Sequence, residues 1–217
     1  MINVSLSGRD DRPLQVLCLG CHSDDIEIGC GGTILRLAQQ HPGSRFHWVV
    51  FSAVGVRQAE AQRAANMFVG HANLQGPMLM SFQDSFMPFT GAEIKKVFED
   101  LKPTVSPDLI LTHFRNDAHQ DHRLIAELTW NTFRDHLILE YEIPKYDGDL
   151  GQPNCYVPLS AELCEKKVHY LMDAFPSQRT KRWFEESTFL ALMRLRGIEC
   201  NAPSGYAEAF YLRKLVW

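Results

Sequence analysis

The feature that most limits the fold is a repeating order of short apolar runs and helix-patterned segments through the first two thirds of the chain. "LQVLCLG" (14–20), "FHWVVFS" (46–52), "PMLMSF" (77–82) and "PDLILTH" (107–113) read as buried strands. Each is followed by helical spacing, at 31–41, 57–70, 91–102 and 121–133. Apolar strands alternating with helices predict an α/β fold: a Rossmann-like, mostly parallel sheet with helices on both faces. The C-terminal part is less regular. Strands are expected at 136–143 and 154–159 around the loop "PKYDGDLGQP", helices at about 160–174 and 181–196, and a last strand from Ala207. With 217 residues and neither linker nor repeat, the span 1–217 is expected to form one domain.

A net charge of −4 gives no electrostatic reason to expect nucleic acid as a partner. No apolar run approaches the roughly 20 residues that cross a bilayer, so no integral membrane segment is expected. The start, "MINVSLSGRDDRP", lacks the charged-then-apolar pattern of a secretory signal, and a cytoplasmic location is the default expectation. The sequence leaves room for a homo-oligomer. Cys18 and Cys21 form a CxxC that could mark a zinc or redox pair. Cys18 lies inside an apolar run and no second CxxC follows, so reduced structural thiols are expected.

Two stretches carry unusual His and Asp density. "HSDD" (22–25) follows the first expected strand, and "THFRNDAHQDH" (112–122) follows the fourth. In an open parallel sheet both lie at the carboxyl edge, where ligands bind. The adjacent carboxylates of Asp24 and Asp25 repel each other unless a proton, a cation or water intervenes. Two histidines and a carboxylate are a three-ligand set for catalytic zinc, with the spare carboxylate free to accept a proton. The competing reading makes the aspartate a helix N-cap. Gly29, Gly31 and Gly32 lack dinucleotide-binding spacing and suit a close backbone approach at a helix start. Asn116 and Asp117 read as turn residues. His113 could touch substrate or merely hydrogen-bond. Glu140, Glu142, Tyr146 and Asp147 could form a substrate wall.

"CHSDDIEIGCGGT" resembles the signature of the PIG-L/LmbE zinc-dependent de-N-acetylases, and "HQDH" (119–122) resembles their His-x-Asp-His. "RQAEAQRAANMFVG", "SFQDSF", "KKVHYLMDAFPSQ" and "GYAEAF" are similar to further family segments in the same order. The resemblance implies His22, Asp25 and His122 as ligands of Zn2+, or of another divalent ion such as Fe2+. It implies Asp24 as the general base acting on water at the metal. His119 would stabilise the oxyanion, and Asp121 would orient His119. Arg57 and Asp84 would bind substrate. The activity implied is metal-dependent N-deacetylation of a small-molecule N-acyl amino sugar or its conjugate. Ser23 stands where the family has proline, and Ile26 where it has glutamate. Two other readings remain open: an inactive, metal-free sugar- or nucleotide-binding protein of the same fold, and a non-haem iron oxygenase.

Overall fold

A computed structural model describes residues 4–6, 8 and 12–216. Among these, seven strands form one sheet: β1 (Gln15–His22), β2 (Arg45–Ser52), β3 (Leu74–Leu79), β4 (Leu109–His113), β5 (Ile138–Tyr141), β6 (Cys155–Leu159) and β7 (Tyr206–Leu212). Their spatial order is β3-β2-β1-β4-β5-β7-β6. The first five run parallel, and β7 runs antiparallel to both β5 and β6. The chain winds outwards from β1 to β3, then crosses back to place β4 on the other side of β1. The carboxyl ends of β1 and β4 therefore flank the point where the winding reverses, the expected crevice of such a sheet.

Period-two alternation divides the core. Val16, Cys18, Trp48, Val50 and Leu111 face helices α1 (Asp25–Gln40), α2 (Val56–Val69), α5 (Ala161–Ala174) and α6 (Glu186–Glu199). Leu17, Leu19, Val49, Phe51 and Ile110 face α3 (Gly91–Leu101) and α4 (Gln120–Thr132). Helices thus cover both faces, as the alternation predicts. No helix among the described residues is long and apolar enough to cross a membrane. The six thiols are free, and five of them are buried.

Three elements begin three or more residues away from the sequence reading. β3 begins at Leu74 and ends at Leu79, admitting Pro77 because it is an edge strand whose register against β2 is interrupted between Gln75 and Met78. α6 begins at Glu186 instead of residue 181. The most informative shift is at α1, which starts at Asp25 and takes the whole glycine-rich stretch into the helix. These glycines are helix-packing residues and not a turn. A Cβ on Gly29 would sit 2.1 Å from the Tyr141 ring, and one on Gly32 would sit 2.4 Å from Leu159.

α1 is interrupted at Cys30, whose φ of −144° is not helical. The interruption exposes groups that a continuous helix would pair with each other, the Ile28 carbonyl and the Gly32 N–H. Two charged side chains from distant elements take them. Lys167 Nζ of α5 donates to Ile28 O at 2.6 Å. Glu208 of β7 accepts from the N–H groups of Gly32 (2.7 Å) and Thr33 (2.6 Å). Lys167 and Glu208 also pair at 2.6 Å, both buried. A cation at the carboxyl end of one segment and an anion at the amino end of the next complement both helix dipoles. The late "KKVHYLMDAF" and "GYAEAF" segments therefore hold the helix that carries Asp25. A parallel tie joins α2 to the Pro176–Gln178 turn, where Glu60 accepts from Ser177 N (2.9 Å) and Oγ (2.6 Å).

Candidate functional site

The end of β1, the first turn of α1, the loop before α4 and the first turn of α4 converge. His22 is the last residue of β1, and Asp25 the first of α1. His22 N–H donates to Asp25 Oδ2 at 2.6 Å, which folds the carboxylate back over the strand end. His122 projects from the first turn of α4. Three potential donor atoms then form a nearly equilateral triangle. His22 Nδ1 to His122 Nε2 is 3.3 Å, His22 Nδ1 to Asp25 Oδ2 is 3.4 Å, and His122 Nε2 to Asp25 Oδ2 is 3.5 Å. Tetrahedral zinc with bonds of about 2.0–2.2 Å needs its ligand atoms roughly 3.3–3.6 Å apart. The three separations fall within that range.

A second donor grouping shares the same carboxylate: Cys21, Asp25, His113 and His122, all buried. His113 Nε2 lies 3.2 Å from Asp25 Oδ2, but its lone pair already accepts the Cys21 N–H at 2.9 Å. The Cys21 thiol is pushed up to about 12, chiefly by burial, and it faces Met87 Sδ at 3.2 Å. His113 is pushed down to about 4 by burial and by neighbouring His122. His22, Asp25 and His122 form an alternative donor set around the same carboxylate. Burial pushes the His22 ring down, but Cys21, Asp25 and Asp121 outweigh it and hold its pKa well above the usual imidazole value. Burial alone would push Asp25 up. The facing His122, His113 and His22 outweigh it and hold the carboxyl well below its usual range.

Asp24 occupies the N-cap position of α1 but makes no side-chain cap hydrogen bond, so the capping reading fails. Its Oδ1 meets Arg57 Nη2 at 2.5 Å. Arg57 reaches it from the first turn of α2, entered through Gly55 at φ +60°, a left-handed conformation that favours glycine. Ile26 is fully buried in the core, while Glu27, also fully buried, has no partner for either carboxyl oxygen. Burial pushes its pKa well up, Asp24 and Asp25 adding to that against Arg57.

His119 is the N-cap of α4, its Nδ1 accepting the Asp121 N–H at 3.3 Å. In the neutral ring the proton then resides on Nε2. Its ring centroid lies 4.5 Å from that of His122 and 5.1 Å from that of His22. Burial, with His122 and His22 adding, pushes its pKa down, so the ring is a neutral donor. The Asp121 carboxylate turns elsewhere: it accepts from Ser85 N (2.6 Å) and Met87 N (3.2 Å) and lies 3.6 Å from His22 Nε2. These contacts pin the loop after β3, where Ser85 adopts φ +67°. Asp84 on that loop is exposed, its Oδ1 3.1 Å from His22 Nε2 without an aligned hydrogen bond.

The structure brings together His22, Asp25, His119, Asp121 and His122, while Asp24, next to Asp25 in the chain, turns its carboxylate to Arg57. Arg57 and Asp84 stand at the same place, on Asp24 and His22. Glu140 and Glu142 are instead buried ion-pair partners of Arg213 and Arg196. The sequence reading passed over Asp117 as a turn residue. It is buried, with Oδ2 3.0 Å from His122 Nδ1 and Oδ1 accepting the His119 N–H at 2.7 Å. Its signal was spacing, two before His119 and five before His122.

Residues 17–133, more than half of the chain, match the model of a family described as PIG-L, GlcNAc-PI de-N-acetylase. An uncharacterized deacetylase of Escherichia coli K12, YaiS, is 26% identical over 157 residues, 66% of this chain and 82% of YaiS. Among solved structures, N,N'-diacetylchitobiose deacetylase of Pyrococcus horikoshii superposes with a TM-score of 0.68 at 19% identity, covering 92% of this chain and 83% of its own. GalB, the 4-carboxy-2-hydroxymuconate hydratase of Pseudomonas putida KT2440, superposes with a TM-score of 0.70 at 17% identity, covering 94% of this chain and 98% of its own. The last two likenesses are of fold, and the fold carries more than one chemistry.

Proposed function

The chain belongs to the PIG-L family, and on that premise we propose that it is a metal-dependent N-deacetylase acting on a small-molecule N-acyl amino sugar. The observation that carries the reading is the donor triangle of His22 Nδ1, Asp25 Oδ2 and His122 Nε2, with Asp24 preceding Asp25 in the chain. These three residues would hold the ion, zinc being the metal whose bond lengths suit them. Once bound, a divalent cation polarises an amide carbonyl and makes water more acidic.

The chain's own residues supply the rest of an amide hydrolysis. Asp24 accepts a proton from the attacking water, oriented for this by Arg57. The water oxygen adds to the carbonyl carbon, and negative charge develops on the carbonyl oxygen. His119 presents Nε2–H to that charge, its other nitrogen being engaged at the start of α4. The C–N bond then breaks, and the proton held by Asp24 passes to the departing nitrogen. The products are a carboxylate and a free amine.

The direct test is purified protein assayed for bound metal and for acetate release from a panel of N-acetylated amino sugars, beside Asp24→Asn. The expected result is about one zinc per chain and turnover that the variant loses while keeping its metal. Protein that takes up no zinc and stays inactive when zinc is supplied overturns the proposal.

A further inference from the structure

Behind His122, on the side away from the donor triangle, lies a closed chain of charges. Asp117 Oδ2 stands 3.0 Å from His122 Nδ1, both side chains nearly inaccessible. The other oxygen, Oδ1, accepts the His119 N–H at 2.7 Å and lies 3.1 Å from Lys145 Nζ. Lys145, in the irregular loop between β5 and β6, also reaches Asp149 Oδ2 at 2.5 Å, and that same oxygen accepts the Ala118 N–H at 2.7 Å. Asp117, Asp147 and Asp149 together form a grouping that could hold a cation. The Lys145 ammonium already stands among them, 3.7 Å from Asp147 Oδ2 as well, so this cluster is a salt-bridge network.

The chemistry of the pair is one-directional. A carboxylate only accepts, so a proton must sit on His122 Nδ1 for the contact to be favourable. That leaves Nε2 with its lone pair, and Nε2 is the atom at the corner of the triangle. Without an anion at Nδ1, the neutral ring could protonate either nitrogen, and half of its tautomers would present N–H to the ion. The same carboxylate holds the backbone of His119, so one residue sets two side chains of the site.

We infer that Asp117, clamped by Lys145, is a positioning residue that fixes the tautomer and orientation of His122 for metal binding. This rests on the metal-site reading above and adds to it a role for the β5–β6 loop. Lys145 links that loop to the site without touching the donor triangle.

The test uses zinc alone as the probe. Zinc affinity, measured by competition with a chromophoric chelator, is compared for the intact protein, Asp117→Asn and Lys145→Met. In parallel, nitrogen-15 histidine spectra of the zinc-free protein report which nitrogen of His122 carries the proton. The expected results are a proton on Nδ1, an affinity weakened about 10–100-fold in Asp117→Asn, and a smaller loss in Lys145→Met. Unchanged affinity in Asp117→Asn, or a His122 proton on Nε2 in the unmodified protein, overturns the inference. If Asp117→Asn fails to fold, the spectrum of the unmodified protein decides alone. Zinc binding with the expected tautomer but no turnover on any substrate supports the positioning role and counts against the hydrolase. No zinc binding at all overturns both.

Discussion

The guanidinium of Arg57 and the carboxylate of Asp24 meet at 2.5 Å, joining the first turn of α2 to the N-cap of α1. Arg57 therefore acts on the proposed base before any substrate arrives. Arg57→Ala is expected to lower kcat by about tenfold to a hundredfold, because a misplaced base loses its alignment with the attacking water. KM should change less. Arg57→Lys should recover only part of the rate, lacking the planar fork of the guanidinium. Steady-state kinetics decide the point: a raised KM with an unchanged kcat would make Arg57 a substrate contact instead.

The buried Lys167–Glu208 pair gives a prediction about stability alone. Removing one partner leaves the other charge uncompensated, at a cost of about 3–5 kcal/mol for such pairs. Lys167→Met is expected to lower the urea midpoint accordingly. It also frees the Ile28 carbonyl at the interruption of α1. A loss below about 1 kcal/mol would show that the interrupted helix needs no clamp.

Gly29 tests the packing beneath the site. An alanine Cβ there would lie 2.1 Å from the Tyr141 ring, which cannot stay where it is. Tyr141 is fully buried, donates to Leu19 O at 2.6 Å and packs against His113 with ring centroids 4.8 Å apart. Gly29→Ala should cost about 1–3 kcal/mol, typical of overpacking. Thermal unfolding of the metal-free protein reads this directly, and an unchanged midpoint would place the ring in a looser pocket.

Metal supply and removal offer a check independent of substrate. An ion that binds only the folded chain stabilises it by about 2.7 kcal/mol at a hundredfold excess over Kd. Zinc is expected to raise the thermal midpoint of the unmodified protein, and a chelator to reverse the rise. His122→Ala should abolish the response, whereas His47→Ala should keep it, His47 being engaged with Gln15 on β1 and β2. Equal responses in the two variants would place the ion elsewhere.

Much of this architecture was legible because it rests on local signals. Apolar runs of six to eight residues marked the parallel strands, and their alternation with helices marked the two covered faces. The convergence of the 22–25 and 112–122 stretches followed from topology, since both lie at strand ends on one edge, whereas the choice of His22, Asp25 and His122 within them came from the family resemblance. What stayed hidden depends on partners far along the chain. "GCGGT" looked like a helix entry because nothing nearby announces Lys167 and Glu208, more than 130 residues away. Asp117 looked like a turn because Asn-Asp is common turn chemistry, and only the position of His122 in three dimensions reveals its use. Asp121 has the spacing to serve His119. Its carboxylate instead bonds the N–H groups of Ser85 and Met87, a loop whose path no local pattern specifies.

The break in α1 also bears on how such a chain can change over generations. The segment from Asp25 to Gly29 and the segment after Cys30 are separately anchored, the first to β1 and α5, the second to β7. One inserted residue turns the following part of a helix by about 100°. An insertion at Cys30 would pull Gly32 and Thr33 from Glu208 yet leave Asp25 over His22. An insertion between His22 and Asp25 would disperse the donor atoms at once. Length drift after the break therefore costs stability, through Glu208 and the buried residues Ile34, Leu35 and Leu37, whereas drift between His22 and Asp25 costs the site itself.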